Sequence, residues 1–198
     1  MSPVTTALIV ANVAIYLLQG LVPQLVVPFA LWPLASSANG GAPFAPWQLF
    51  TYAFLHGGLL HLFFNMFALY MFGSAIEQVF GARRYLVFYF VAVVSAAITQ
   101  LIVAVLLHGV YPTIGASGGV FGLLLAYAMY FPRNRVMLLF PPVPMSARTF
   151  VVVYAVIELL LGVTNTQSSV AHFAHLGGMV GGYLLLRFWR GGIRRPSR

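Results

Sequence analysis

Long apolar runs alternate with short stretches rich in Gly, Pro and Arg along this 198-residue chain. Runs of roughly 17 to 25 apolar residues are the length that crosses a lipid bilayer as a helix. Six such segments are predicted, at about 5–22, 58–79, 85–107, 116–131, 149–163 and 170–189. The fourth and fifth are short for a span, so tilt or local thinning of the bilayer is expected there. The pattern predicts an all-α, polytopic membrane protein forming one domain over residues 1–198, with a basic tail at 190–198. The opening MSPVTTALIVANVAIYLLQGLV lacks the basic start of a cleaved signal peptide and is expected to stay as the first span.

The connection 23–57 is long, poor in polar residues and rich in Pro and aromatics. A solvated linker would be polar. The segment is therefore expected to lie in the membrane interface, with Trp32, Trp47 and Tyr52 at headgroup level.

Charge supports the six-span count and sets an orientation. The chain is 61% hydrophobic and only 6% charged. All ten basic residues are Arg, and each falls between spans two and three, between four and five, or at and after the end of span six. Six spans with a cytoplasmic N-terminus put every Arg on the cytoplasmic side, as the positive-inside rule requires; five or seven spans would break that separation. The net charge of +8 is thus a topology signal and not a nucleic-acid patch. The tail also suits anionic lipid. There is no Cys, so disulfides and thiol chemistry are excluded.

Polar residues inside a membrane are costly and mark function by default. With this topology, His61 and Asn65 stand near the outer end of span two, four apart and on one face. Ser117 opens span four from the outside, and His172 and His175 lie just inside the outer end of span six. The glycine pairs Gly118/Gly122 and Gly178/Gly182 have the four-residue spacing that lets membrane helices touch. His175 precedes Gly178 by three and Gly182 by seven, on the same face. Packing spans four and six through these faces would let Ser117 and His175 meet.

A serine hydroxyl needs a base before it can attack. His175 is the candidate base and proton donor to the leaving amine. The N–H groups at Ala116 and Ser117, at a helix start, lack intrahelical acceptors. With His61 and Asn65 they are candidate oxyanion donors. The only carboxylates are Glu77 and Glu158. Glu77 is 16 residues beyond His61, about 24 Å along a helix, and Glu158 sits at intermediate depth with no evident partner. A Ser–His dyad is therefore expected.

The ordered motifs WQLFTYAFLH, HLFFN, GASGGVFG and AHFAHLGG resemble the rhomboid family of intramembrane serine proteases, over about residues 4–189. The resemblance implies a rhomboid-like helix bundle and cleavage of transmembrane protein substrates by a dyad without cofactor. It maps the HxxxN motif to His61 and Asn65 and the GxSG motif to Gly115, Ser117 and Gly118. It selects His175 over His172 as base and makes His56 structural. It implies membrane-protein and lipid partners, no nucleic acid, and a home in the bacterial inner membrane. Two positions depart from the family. Gln48 follows Trp47 where many members have Arg, and Phe121 stands where many have a Tyr stacked on the base. His172 is a supporting residue.

The alternatives belong to other classes. A catalytically silent relative that binds or escorts membrane clients would not need Ser117 and His175. A transporter would show repeats or a charged, broken midplane helix. A zinc site from His56, His61, His172 and His175 would want a nearby carboxylate or thiolate, and none is expected, so no metal is assigned.

Overall fold

The computed structural model describes residues 2–137, 142–164 and 171–192. Among the described residues the fold is all-α apart from one short antiparallel strand pair. Its helices are α1 (Pro3–Leu21), α2 (Val26–Phe29), α3 (Gln48–Thr51), α4 (Leu59–Ala68), α5 (Ser74–Phe80), α6 (Ala82–Leu106), α7 (Ser117–Tyr130), α8 (Ala147–Val163) and α9 (His172–Gly192). The long ones begin and end within three residues of the predicted spans. Three of them, Pro3–Leu21, Leu59–Phe80 and Ala82–Leu106, are each long and apolar enough to cross a membrane unaided. The connection predicted at 164–169 lies, beyond Thr164, outside the described residues, as does the basic tail after Gly192.

Two features were not predicted. Helices α4 and α5 are one continuous rod through a π-helical turn at Leu69–Gly73. A Cβ at Gly73, in that widened turn, would strike the Tyr85 hydroxyl and crowd Leu69 and Thr5. The Arg-bearing connection after α7 contains an antiparallel hairpin, Arg135–Met137 (β1) against Pro144–Ser146 (β2). Ser146 then caps α8, its Oγ accepting from Thr149 N–H at 3.1 Å.

Helix α7 has 14 residues, about 21 Å long at 1.5 Å per residue, against a hydrocarbon core of about 30 Å. It tolerates that length because protein, not lipid, surrounds most of it: α4, α5, α6, α8 and α9 all touch it. The outer helices carry the exposed apolar side chains, among them Leu17, Leu21, Leu60, Ile102 and Leu106. Such a surface suits contact with lipid.

The contact that sets the architecture is glycine on glycine. A Cβ at Gly178 would strike the Gly118 carbonyl, and one at Gly122 would strike Ala92 and approach the Gly178 carbonyl at 3.2 Å. A Cβ at Gly182 would come 2.8 Å from Phe88 and 3.5 Å from Gly122 Cα. So α7 and α9 meet backbone to backbone, the close approach that small residues allow. Elsewhere Glu77 caps the start of α1. Its carboxylate accepts from Val4 N–H (2.9 Å), Thr5 N–H (2.8 Å) and Thr5 Oγ–H (2.7 Å). An anion belongs at the donor-rich start of α1.

The connection 23–57 is folded and pinned. Gln48 is buried; its Oε1 accepts from Trp32 N–H (3.2 Å) and its Nε2 donates to the carbonyls of Pro28 (3.4 Å) and Pro43 (3.3 Å). The neutral amide therefore links three points of the connection. Trp32 and Trp47 donate their indole N–H groups to the carbonyls of Val27 and Pro28, and Trp47 is exposed. Tyr52 corrects the expectation of a headgroup position. It is 1% exposed and its hydroxyl donates to the Val93 carbonyl on α6. A Tyr whose hydroxyl finds an acceptor is stable in a core, and pattern alone does not show that acceptor.

Gly178→Ala is expected to cost about 1–3 kcal/mol by overpacking against α7. Gly20→Ala, with nothing within 4 Å of its Cβ position, should be neutral or stabilising. Thermal unfolding in detergent compares the two. Equal midpoints would show that the α7–α9 contact is not tight.

Candidate active site

Ser117 begins α7 and is half-buried. His175 lies one turn into α9 and is buried. The glycine contact sets them opposite each other, with His175 Nε2 2.8 Å from Ser117 Oγ. Phe121, one turn beyond Ser117, lies flat on the imidazole, with centroids 4.3 Å apart and planes 3° from parallel. The ring can rock little without losing that stack.

Gly115 prepares the opposite side. Its φ of +128° is one that side-chain-bearing residues rarely adopt. A Cβ there would lie 2.8 Å from His61 Nε2 and 3.7 Å from Ser117 Oγ. Glycine thus permits both the turn into α7 and the approach of His61 to the serine. His61 Nδ1 accepts the Gly57 N–H at 3.3 Å. A neutral imidazole that accepts at Nδ1 carries its proton on Nε2, the nitrogen beside Gly115. Asn65 donates from Nδ2 to the His61 carbonyl one turn back, at 2.9 Å. Ala116 is fully buried at the N-cap of α7. The first N–H groups of the helix that follows have no intrahelical acceptors. The segment before α7 is held in place by the long connection: Leu31 and Thr113 pair backbone to backbone, and Gly115 N–H donates to the Tyr52 carbonyl at 2.9 Å.

The largest correction concerns the carboxylate. Glu158, buried on α8, puts Oε2 2.9 Å from His175 Nδ1 and 2.7 Å from His172 Nδ1. The site therefore has a carboxylate behind its histidine, where a bare dyad was expected, and His172 is hydrogen-bonded to the same oxygen. Chain arithmetic contained the signal. Glu158 is five residues before the end of α8 at Val163 and His175 three after the start of α9. At 1.5 Å per residue those are about 7.5 and 4.5 Å from the same connection. Depth was legible; the rotation of α8 that aims the carboxylate was not. The ligand atoms of Glu158, His172 and His175 lie within 4.8 Å of one another, a donor set of the type that holds zinc. The expectation that no carboxylate lies near these histidines is corrected too.

His56 sits outside the long helices, buried, its ring edge-on to His61 at 5.0 Å. Its backbone is clasped by Gln19 of α1: Gln19 Oε1 accepts the His56 N–H at 3.0 Å and Nε2 donates to its carbonyl at 3.2 Å. Burial, helped by the neighbouring His61, pushes the His56 pKa down to about 4.

Residues 43–190 match the family model described as the Rhomboid domain. The chain is 34% identical over 137 residues to the rhomboid protease GluP of Bacillus subtilis, covering 69% of this chain and 25% of that protein. It is 30% identical over 140 residues to the putative rhomboid protease YdcA of the same organism, covering 70% and 65%. The mitochondrial Rhomboid protein 1 of Saccharomyces cerevisiae is 32% identical over 134 residues, covering 67% and 38%. The match spans from a quarter to just under two thirds of these relatives.

A histidine near 6.5 when unfolded and near 4 when folded takes up its proton mainly on unfolding. Its contribution falls as pH drops from about 6.5 toward 4. The thermal midpoint should fall over that window, and His56→Phe should flatten the fall. Identical slopes for the two proteins would count against a buried neutral His56.

Proposed function

The chain belongs to the rhomboid family, and we propose that it acts as an intramembrane serine endopeptidase on transmembrane protein substrates, with Ser117 as nucleophile and His175 as base. The family and the apolar helices make it an integral membrane protein. The reading rests above all on one distance, the 2.8 Å between His175 Nε2 and Ser117 Oγ.

The chemistry follows from the groups at hand. Ser117 Oγ attacks the scissile carbonyl carbon as His175 Nε2 takes its proton. The tetrahedral oxyanion is met by His61 Nε2–H and by the free backbone N–H groups at the start of α7. Asn65 supports His61 through its carbonyl and is the lesser contributor. Collapse of the intermediate breaks the peptide C–N bond, and His175 hands its proton to the departing amine. Water then attacks the acyl-enzyme by the same route and regenerates Ser117. No cofactor enters these steps. Six spans with both termini on the cytoplasmic side of a bacterial inner membrane fit the one-sided arginines. They put Ser117 near the outer face, where water can reach it.

The test is cleavage of a model transmembrane substrate by the purified protein in liposomes, alongside labelling by a fluorophosphonate probe. Ser117→Ala should abolish both without altering the thermal midpoint. Undiminished cleavage would end the protease reading and favour a client-binding relative. Phe121→Ala should lower kcat up to about tenfold, the scale of an aromatic pair worth ~0.5–1.5 kcal/mol. Phe121→Tyr should restore it, because the stack survives. Failure of Tyr to restore activity would show that more than stacking is at work.

A further inference from the structure

The least expected group in the site is the Glu158 carboxylate. It is 7% exposed, in a helix otherwise made almost wholly of apolar residues. A buried charge in such a place persists only when paired. Its partners are both on α9, and both bonds fall on one oxygen, Oε2. Nδ1 of His175 can bond that oxygen only as a donor, because an ionised carboxylate only accepts. With the proton on Nδ1, a neutral His175 has its lone pair on Nε2, the atom that faces Ser117 Oγ at 2.8 Å. The carboxylate thereby selects the tautomer that can deprotonate the serine. It also lies where the positive charge forms when His175 becomes an imidazolium.

We infer that Glu158 is a positioning residue that completes a Ser117–His175–Glu158 relay across α7, α9 and α8, with His172 as a second donor that holds the carboxylate in line. The inference rests on the Ser117–His175 reading above. It adds to the expected dyad a third group drawn from a different helix. Three constraints hold His175: Phe121 fixes the ring plane, Glu158 fixes rotation and tautomer within that plane, and Ser117 meets the free nitrogen. His172 bonds Oε2 at 2.7 Å from the turn of α9 preceding His175. The carboxylate therefore cannot follow one histidine without straining the other.

Glu158→Gln keeps an oxygen acceptor and removes the charge. Glu158→Leu removes both, matching the apolar surroundings at the cost of leaving two imidazole N–H groups unpaired. In liposomes kcat is expected to fall about tenfold for Gln, and about 10²-fold or more for Leu, the scale at which acid–base catalysis contributes. KM should stay within about twofold for both, since only groups that act in the transition state separate kcat from KM in this way. Thermal midpoints establish that the variants are folded. Independently of any variant, nitrogen-labelled wild-type protein should show a strongly downfield His175 Nδ1–H proton resonance, absent from Glu158→Leu. Wild-type kcat in both folded variants, or no such resonance in the wild type, would overturn the inference. So would loss of wild-type turnover on chelation with recovery on adding zinc, which would assign the carboxylate to a metal. Cleavage surviving in Ser117→Ala would instead strike the protease reading itself, so the two failures are distinguishable.

Discussion

The backbone contact between α7 and α9 is what the remainder of the site depends on. Ser117 and His175 stand on helices 58 residues apart in sequence, and neither side chain is long. A serine hydroxyl reaches an imidazole only if the two helix axes come unusually close. Gly118, Gly122, Gly178 and Gly182 provide that approach by leaving no side chains between the backbones. In lipid no hydrophobic force drives helices together, so close packing and interhelical hydrogen bonds must hold them. The same glycines therefore serve both cohesion and chemistry.

Around that contact, several polar side chains find specific partners. Glu77 satisfies the open N–H groups of α1. Gln48 binds three points of the 23–57 connection without carrying a charge. An uncharged amide makes these loop contacts at a lower cost of burial than a charged side chain would. Tyr52 joins the connection to α6 through its hydroxyl and to Gly115 through its carbonyl. The loop thus reaches the residues before the serine through one hydrogen bond, from Gly115 N–H to the Tyr52 carbonyl.

Much of the candidate site was legible in advance, because it depends on one-dimensional quantities. Apolar run length located the long helices to within three residues. Glycine register distinguished His175 from His172. Other features were hidden because they depend on how a helix turns about its axis. Helix α8 is apolar on nearly every side, and such a helix offers no amphipathic stripe from which to read its rotation. The direction of Glu158 could not be inferred from spacing, only its depth. The burial of Tyr52 was hidden for a related reason: a Tyr suits an interface or a core equally until its hydroxyl acceptor is known.

The sequence by itself determined the helical class and the extents of the long helices. Each follows from counting residues along an apolar chain with a 1.5 Å rise. Tertiary structure alone decided that a carboxylate stands behind His175, that His172 shares it, and that Asn65 donates to the His61 carbonyl. Those outcomes are set by interhelical rotation and by competition among a few polar groups for the same partners. In an interior with so few polar atoms, each pairing constrains the next, and only the packed arrangement of α7, α8 and α9 resolves them together.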